Sequence, residues 1–507
     1  MPGTVGPVTY LAPDWAGETT YLGPGHTLTV FERIKELLRH SAVYGLGSIV
    51  ARVLGVLLLP LYTRYLSPSD YGLIETLVAL SAVLTALVAQ AMKSAFFRFY
   101  FDSVEPERRH LVVRTAFWYV MAASTIVSVA GIGLSSQISW LLFGTRGHGT
   151  LVIAAFVGLW AALNYEQMTS LFRVEQRSSA YVVATLANVS ITIVGTILLV
   201  VVFDKGPLGV LVGNFTGTLI VYAALLLYSR HALGLQFDRS LYRAMNRFGL
   251  PLVPSAVALW LTNFSDRFFL IKLSDAHEVG LYSIGVRIAS AIVLLLTAFR
   301  MAWPAFAYSI EDDREAQHTY SFVLTYVVYV CCWLALALGL LAPWIVRLVT
   351  TKPFYPAQNV VAPLAFGVAA FGAYVVVQIG TGRSRQTRSN WLVTGAAAVV
   401  NLTLNLTLIP TYGRMGAAIA TVVAYTLLFV AMAWRAHRVF PVPYQWRRVA
   451  TAAFAAVGLT LIGKLLAVPL PVALLLTAAF PLVLLVLGFY LPAERRRLRR
   501  LLPILGR

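Results

Sequence analysis

Long apolar segments alternate with short polar ones from about residue 40 to the end of the chain. A helix needs about 20 consecutive apolar residues to cross the hydrocarbon core of a membrane, and the segments have roughly that length. Residues 1–35 are rich in Gly, Pro and Thr and lack the basic start and apolar core of a signal peptide, so we expect a disordered cytoplasmic tail. The pattern after this tail predicts fourteen transmembrane helices, at 40–62, 71–97, 111–135, 149–172, 179–203, 208–228, 247–272, 280–307, 319–345, 358–381, 390–410, 414–435, 447–468 and 470–491.

The positions of Lys and Arg between these segments support the same topology. If the N-terminus is placed in the cytoplasm, 27 of the 40 Lys and Arg residues fall on cytoplasmic segments, 8 on outer loops and 5 within spans. This asymmetry is the one expected for the cytoplasmic loops of membrane proteins. The alternation continues to the last span, which predicts an even number of spans and two cytoplasmic termini in a bacterial or archaeal cell membrane.

The sequence also contains an internal repeat. The motif LSPSDYGL after the first span is matched by LSDAHEVGL after the seventh, and the two glycines, Gly72 and Gly280, are 208 positions apart. A repeat of six helices preserves orientation because six is even. The two halves are therefore predicted to be related by a pseudo-twofold axis along the membrane normal, an arrangement found in transporters.

These patterns predict an all-α integral membrane protein. It consists of two six-helix bundles, a final pair of helices outside the repeat, and a tail at each end. The basic tail, from Glu494 to Arg500, is expected to bind anionic lipid headgroups. The predicted boundaries are 1–35 for the first tail, 36–230 and 231–445 for the bundles, 446–492 for the last pair and 493–507 for the basic tail.

The composition excludes several classes of protein. Apolar residues make up 59% of the chain and charged residues 12%, whereas a soluble domain carries roughly 25% charged residues. Such a chain is neither a cytosolic enzyme nor a secreted disulfide scaffold. The formal net charge of +19 is explained by the cytoplasmic loops and needs no nucleic acid. Cys331 and Cys332 are adjacent in an apolar segment and the histidines lack metal-ligand spacing, so we expect neither a metal nor a cofactor.

Basic residues inside the predicted spans are the main candidates for a binding site. A charge at this depth is costly and usually faces a cavity or a partner. Asn263 lies one helical turn from one of these residues and joins the predicted site. The five basic residues are Arg52, Lys93, Arg267, Arg287 and Arg300.

The excess of cations predicts an anionic substrate. Only Asp266 lies deep in a span, whereas Glu75 and Glu166 are interpreted as peripheral. Arginine suits phosphate because its planar guanidinium donates two parallel hydrogen bonds, so a diphosphate or an acidic glycan would fit. The alternatives are structural: an arginine bonded to backbone carbonyls, a buried ion pair between Asp266 and Arg267, or a lysine that extends to the membrane surface.

Two further groups of residues are candidates for driving the cycle. Asp266 and Glu166 are candidate carriers of a coupling ion. Pro251 and Pro254 are candidate hinges, because proline breaks let a helix bend during alternating access.

Several stretches resemble the Wzx-type polysaccharide flippases of the MOP superfamily, which also includes MATE antiporters and lipid II flippases. They are RHSAVYGLGS from Arg39, LLLPLYTRYLSPSDYGL from Leu57, SDRFFL from Ser265 and NLTLNLTLIPTYGRMGAA from Asn401. The resemblance extends from about residue 36 to 490.

The resemblance implies a flippase that moves a polyprenyl-diphosphate-linked oligosaccharide to the outer leaflet by alternating access. The first, second, seventh and eighth helices would line a cationic cavity, and the last two would form a groove for the lipid tail. Glycan polymerases or glycosyltransferases would be its partners. Two alternatives stay open: a MATE-like exporter of small cations, and a membrane polymerase or ligase. The second is disfavoured because the longest outer loop, 136–148, is short and contains no acidic residue.

Overall fold

A computed structural model describes residues 58–102, 105–175, 177–384, 386, 390–492 and 494–495. Every regular element within these ranges is a helix. In chain order the helices are α1 Leu59–Tyr65, α2 Pro68–Asp102, α3 Pro106–Gly133, α4 Ser135–Phe143, α5 Gly149–Val174, α6 Ser178–Ile197, α7 Gly206–Leu233, α8 Arg239–Gly249, α9 Val253–Leu273, α10 Ala276–Ala289, α11 Ala291–Ser309, α12 Asp313–Val349, α13 Gln358–Val377, α14 Ile379–Arg383, α15 Asn390–Val439, α16 Trp446–Leu465 and α17 Leu470–Val486.

The helices coincide with the predicted spans, but the count of fourteen is not reproduced. Ten helical segments among the described residues are long and apolar enough to cross a membrane. Most of the first predicted span lies outside the described residues. The eighth is divided at Ser290 into α10 and α11, and the eleventh and twelfth are joined in α15 across a kink at Gly413, whose φ is 51°.

The predicted outer loop at 136–148 is a second difference. It contains α4, whose side chains Ser139 and Leu142 are buried. The helix ends at Gly144, where φ is 73°. The Ser139 hydroxyl donates to the carbonyl of Thr145 and fixes the turn that follows. The sequence analysis did not predict this helix, because a short apolar run between two spans was read only as a connection.

The two halves meet through α2, which packs along α9 and α10. Both α2 and α10 begin at matched capping residues, Ser67 and Asp275. The Ser67 hydroxyl accepts a hydrogen bond from the backbone N–H of Asp70, and the Asp275 carboxylate accepts one from the backbone N–H of Glu278. One turn later the repeated glycines face the other half. A Cβ on Gly72 would overlap the carbonyl oxygen of Ala276, and one on Gly280 would overlap that of Pro68.

The positions in this backbone contact are related by the sequence repeat. Ala276 follows Pro68 by 208 positions, the same separation as between the glycines, so each half makes the same contact with the other. The contact lies at the N-terminal ends of α2 and α10, which the predicted topology places at the outer face. Helices α16 and α17, outside the repeat, pack on α12.

Helix α8 links the two halves on the other side of the predicted membrane. Its N-terminus is capped by Asp238, whose carboxylate accepts from the backbone N–H groups of Ser240 and Leu241. Hydrogen bonds from Leu241 and Ser240, with a smaller contribution from nearby Arg108, lower the pKa of the Asp238 carboxyl. Leu241, Met245 and Gly249 are buried on the face of α8 that packs against α2.

Replacing Gly280 with Ala should destabilise the contact between the halves. The added methyl group overlaps backbone rather than a movable side chain, and overpacking of this kind costs about 1–3 kcal/mol. We expect a lower thermal unfolding temperature for purified Gly280→Ala. Gly458→Ala is the matched control, because nothing lies within 4 Å of its added Cβ, and it should unfold at the wild-type temperature or slightly above. Equal behaviour of the two variants would contradict a tight contact.

Candidate functional site

Three charged side chains from both halves meet near the Gly72–Gly280 contact. Glu75 of α2 is 7% exposed. Its Oε1 accepts a hydrogen bond from Nη2 of Arg287 of α10 at 2.9 Å. Its Oε2 lies 3.5 Å from Nε of Arg267 of α9, an ion pair without hydrogen-bond geometry. One carboxylate of the first half therefore pairs with two guanidinium groups of the second and can neutralise only one of their two charges.

Aromatic rings complete the surroundings of the two arginines. The Arg287 guanidinium lies 5.5 Å from the ring centre of Tyr71, one turn before Glu75. The Arg267 guanidinium lies 5.3 Å from the ring of Phe264 and 5.9 Å from that of Tyr282. Ring faces attract cations in a poorly solvated site. The ring of Tyr71 therefore favours orientation of Arg287 toward α2, whereas the rings near Arg267 belong to its own half.

The two arginines differ in the exposed fraction of their side chains. Arg267 is almost completely buried, with 6% of its side chain exposed, whereas 30% of the Arg287 side chain is exposed. Arg267 also donates from Nη1 to the carbonyl of Asn263, one turn earlier. Arg287 is therefore the member of the pair that a ligand can reach first.

A second polar cluster lies inside the C-terminal bundle. Asp266 is 2% exposed and accepts a hydrogen bond from the hydroxyl of Tyr282, which also lies 3.3 Å from the hydroxyl of Thr421. Its Oδ1 has no hydrogen-bond partner. Asn401 and Asn405 of α15 bond each other in the same bundle, and each keeps one polar atom without a partner.

Among the remaining predicted site residues, Asn263 contacts Arg267 through its carbonyl, whereas Lys93 and Arg300 have other partners. Lys93 is 18 residues from Glu75, about 27 Å along α2, and pairs with Glu166 of α5. Arg300 of α11 is exposed and lies 5.7 Å from the ring of Phe371, without an ion pair to any described acidic residue. Asn263 accepts from the hydroxyl of Tyr425 at 2.8 Å.

Three other predictions have different outcomes. Arg52 lies outside the described residues. Pro251 falls in a short turn between α8 and α9, and Pro254 in the first turn of α9. These are positions where proline breaks no helical hydrogen bond, so the two prolines mark a joint between helices rather than a kink within one.

The sequence interpretation of Glu75 as peripheral was wrong. Its position was judged by its distance from the end of its span, but α9 and α10 cover it. The repeat contained a signal that Glu75 differs from its counterpart. The residue 208 positions later is Ser283, so the first half carries a charge at a position where the second half carries none. Tyr71, Tyr282 and Tyr425 were missed because aromatic residues are common throughout the spans.

Comparisons with known proteins agree with this fold. A family model described as "Polysaccharide biosynthesis protein" matches residues 61–359, more than half of the chain. Two Haemophilus influenzae proteins are similar. One, named "Lsg locus putative protein 1", is 21% identical over 55% of this chain and 68% of its own length. The other, an "Uncharacterized membrane protein", is 23% identical over 52% of this chain and 64% of its own length.

Solved structures of transporters have the same fold. A structure titled "Lipid II flippase MurJ, inward closed conformation" aligns with a TM-score of 0.72 at 13% identity, covering 89% of this chain and 99% of that one. An inward-facing multidrug resistance MATE family transporter aligns with a TM-score of 0.62 at 13% identity, over 79% and 95% of the two chains. The protein is thus a multi-pass membrane protein with the fold of these transporters. The chain belongs to the polysaccharide biosynthesis protein family, which supports the resemblance to the Wzx-type flippases.

Proposed function

We propose that the protein carries a polyprenyl-diphosphate-linked oligosaccharide from the cytoplasmic to the outer leaflet of a bacterial or archaeal inner membrane, for surface polysaccharide biosynthesis. Both termini would lie in the cytoplasm. The observation that carries the proposal is the arginine pair, Arg267 and Arg287, held by the single carboxylate of Glu75. Membership of a polysaccharide biosynthesis family supports a glycan as the cargo.

The arginine pair suits a diphosphate better than a carboxylate. A diphosphate carries more negative charge and more acceptor oxygens than Glu75, and Arg287 presents the planar donor fork that phosphate prefers. In a poorly solvated site, ionic attraction is several times stronger than in water. The substrate diphosphate therefore competes with Glu75 for the two guanidinium groups.

Displacement of Glu75 provides a route to alternating access. The ion pairs join α2 of the first half to α9 and α10 of the second, close to the Gly72–Gly280 contact. A diphosphate that takes over both guanidinium groups removes this link. The halves then separate at the predicted outer face, and the headgroup is released there. Glu75 closes the site again once the substrate has left.

The other basic residues would act at different stages. Arg300 is exposed and lies on the predicted cytoplasmic half of the eighth span, so it would meet the headgroup before Arg287. Lys93 is neutralised by Glu166 and is a weaker candidate. Arg52 remains a predicted ligand of the same anion.

The membrane potential and an ion would both drive the cycle. A potential that is negative inside drives an anionic headgroup outward by roughly 2.3 kcal/mol per charge per 100 mV. Asp266 is the better candidate for ion coupling, because it is buried and one of its oxygens lacks a partner. Glu166 is engaged by Lys93.

A MATE-like exporter of small cations is the second candidate. Asp266 is the observation that favours it, since such an exporter needs a deeply buried carboxylate. However, Asp266 faces Tyr282 inside one bundle, whereas the arginine pair lies between the halves. A membrane polymerase or ligase is the least favoured, because the similar proteins of known class are flippases and transporters.

Arg287→Ala should abolish most transport. Loss of a charged hydrogen-bonding partner removes about 1.5–3 kcal/mol, so we expect at least about a tenfold lower rate of delivery to the outer leaflet. The measurement is the fraction of diphosphate-linked oligosaccharide that an impermeant enzyme can reach in cells carrying only the variant gene. Arg347→Ala is the control, because Arg347 is exposed near the same predicted face, lies 5.8 Å from the ring of Tyr355 and forms no ion pair within the described residues. Normal transport by Arg287→Ala would reject the proposal.

Glu75→Gln should strengthen anion binding. The amide can still accept a hydrogen bond from Arg287 but no longer competes as an anion, so farnesyl diphosphate should bind about tenfold more tightly to the purified variant. Glu278→Gln is the matched control, because Glu278 forms an ion pair with Arg414 away from the arginine pair. Tighter binding of tetraphenylphosphonium than of farnesyl diphosphate by the wild type would favour the cation exporter.

Asp266→Asn should remove the response of transport to an imposed proton or sodium gradient while leaving the response to membrane potential. The amide has the size of the carboxylate but cannot carry a proton or balance a cation. Transport in energised membrane vesicles measures both responses. Glu166→Gln should retain the gradient response. A gradient response in Asp266→Asn that equals the wild type would exclude Asp266 as the carrier.

A further inference from the structure

The exposed face of α8 carries a regular row of arginines. Arg239, Arg243 and Arg247 are spaced four residues apart and are exposed, while Leu241 and Met245 on the opposite face are buried. Residues four apart lie on the same side of a helix. None of the three arginines forms an ion pair with an acidic residue in the part of the chain that the structure describes.

Exposed apolar side chains flank this arginine row at both ends of the helix. Leu235 is 88% exposed and Phe237 47% before α8, and Leu250 is 58% exposed after it. Exposed arginines beside exposed aromatic and aliphatic residues are typical of a helix at the membrane surface, where rings and chains enter the acyl boundary and guanidinium groups meet headgroups. The predicted topology places α8 on the cytoplasmic side.

A groove beside α8 extends the surface toward α3. It has a volume of about 1,200 Å³ and is lined by Arg239 and Arg108, among others. Glu105 and Glu107, at the start of α3, also line it. The groove as a whole is therefore of mixed charge, since Asp238 also lines it, and the cationic surface is the arginine row of α8.

We propose that the arginine row of α8 is a binding surface for anionic phospholipid headgroups of the inner leaflet. Each headgroup phosphate accepts hydrogen bonds from guanidinium groups of the row, and the apolar residues at both ends of α8 contact the acyl chains. Since α8 connects the halves and packs on α2, bound lipid holds this connection at the membrane surface. The surface is distinct from the arginine pair and does not depend on the proposed function.

The test uses the full-length protein purified in detergent and short-chain lipids as probes. Dioctanoyl phosphatidylglycerol should raise the thermal unfolding temperature of the wild type, and dioctanoyl phosphatidylcholine should not. Removing one arginine near a charged lipid surface should weaken binding about fivefold. The half-saturating phosphatidylglycerol concentration should therefore rise about 100-fold in Arg239→Gln/Arg243→Gln/Arg247→Gln.

The control removes the same charge elsewhere on the predicted cytoplasmic side. Arg314, Arg438 and Arg447 are also exposed, and their triple Gln variant should bind phosphatidylglycerol like the wild type. Equal losses in both triple variants, or wild-type binding by the α8 variant, would overturn the proposal. So would an equal effect of inorganic phosphate, which would indicate a simple anion site. If the α8 triple variant does not fold, Arg243→Gln alone should still show the fivefold weakening.

Discussion

A carboxylate enclosed within a membrane protein must be neutralised, and Glu75 meets this requirement by joining two halves of the chain. Its partners are Arg267 and Arg287 of the opposite half, so the negative charge of Glu75 is compensated only when the opposite half is in place. Removing one member of such a group leaves uncompensated charge in a poorly solvated site, which costs several kcal/mol. The relative position of the halves at this end therefore depends on this ion cluster as well as on backbone contact.

The sequence repeat creates a symmetric contact, and the charges break that symmetry. Gly72 and Gly280 approach the opposite helix at positions related by the 208-residue repeat. Glu75 has Ser283 as its counterpart, and Arg287 has Ala79. A symmetric scaffold thus carries an ion cluster on one side of its axis only. The proposed anionic headgroup would therefore meet this ion cluster on one face of the contact only.

Much of the architecture could be predicted from the sequence, because spans, loop charges and the repeat are all local or periodic signals. Most predicted spans coincide with helices of the structure, and Arg267 and Arg287 were selected because they lie within predicted spans. Glu75 was misjudged because burial of a residue near a span end depends on which helices cover it. The short helix α4 was missed for a related reason, since an apolar run of this length has no periodicity that separates it from a connection.

The helix break at Ser290 places the two candidate anion ligands of the eighth span, Arg287 and Arg300, on separate helices. The Ser290 hydroxyl donates to the carbonyl of Arg287 at 2.6 Å, which competes with the helical bonding pattern at the end of α10. Before the break, α10 packs chiefly on α2 of the first half; after it, α11 packs on α12 and α13 of the second. Arg287 and Arg300 lie on opposite sides. The distance between the two guanidinium groups therefore depends on how far the eighth span bends at Ser290.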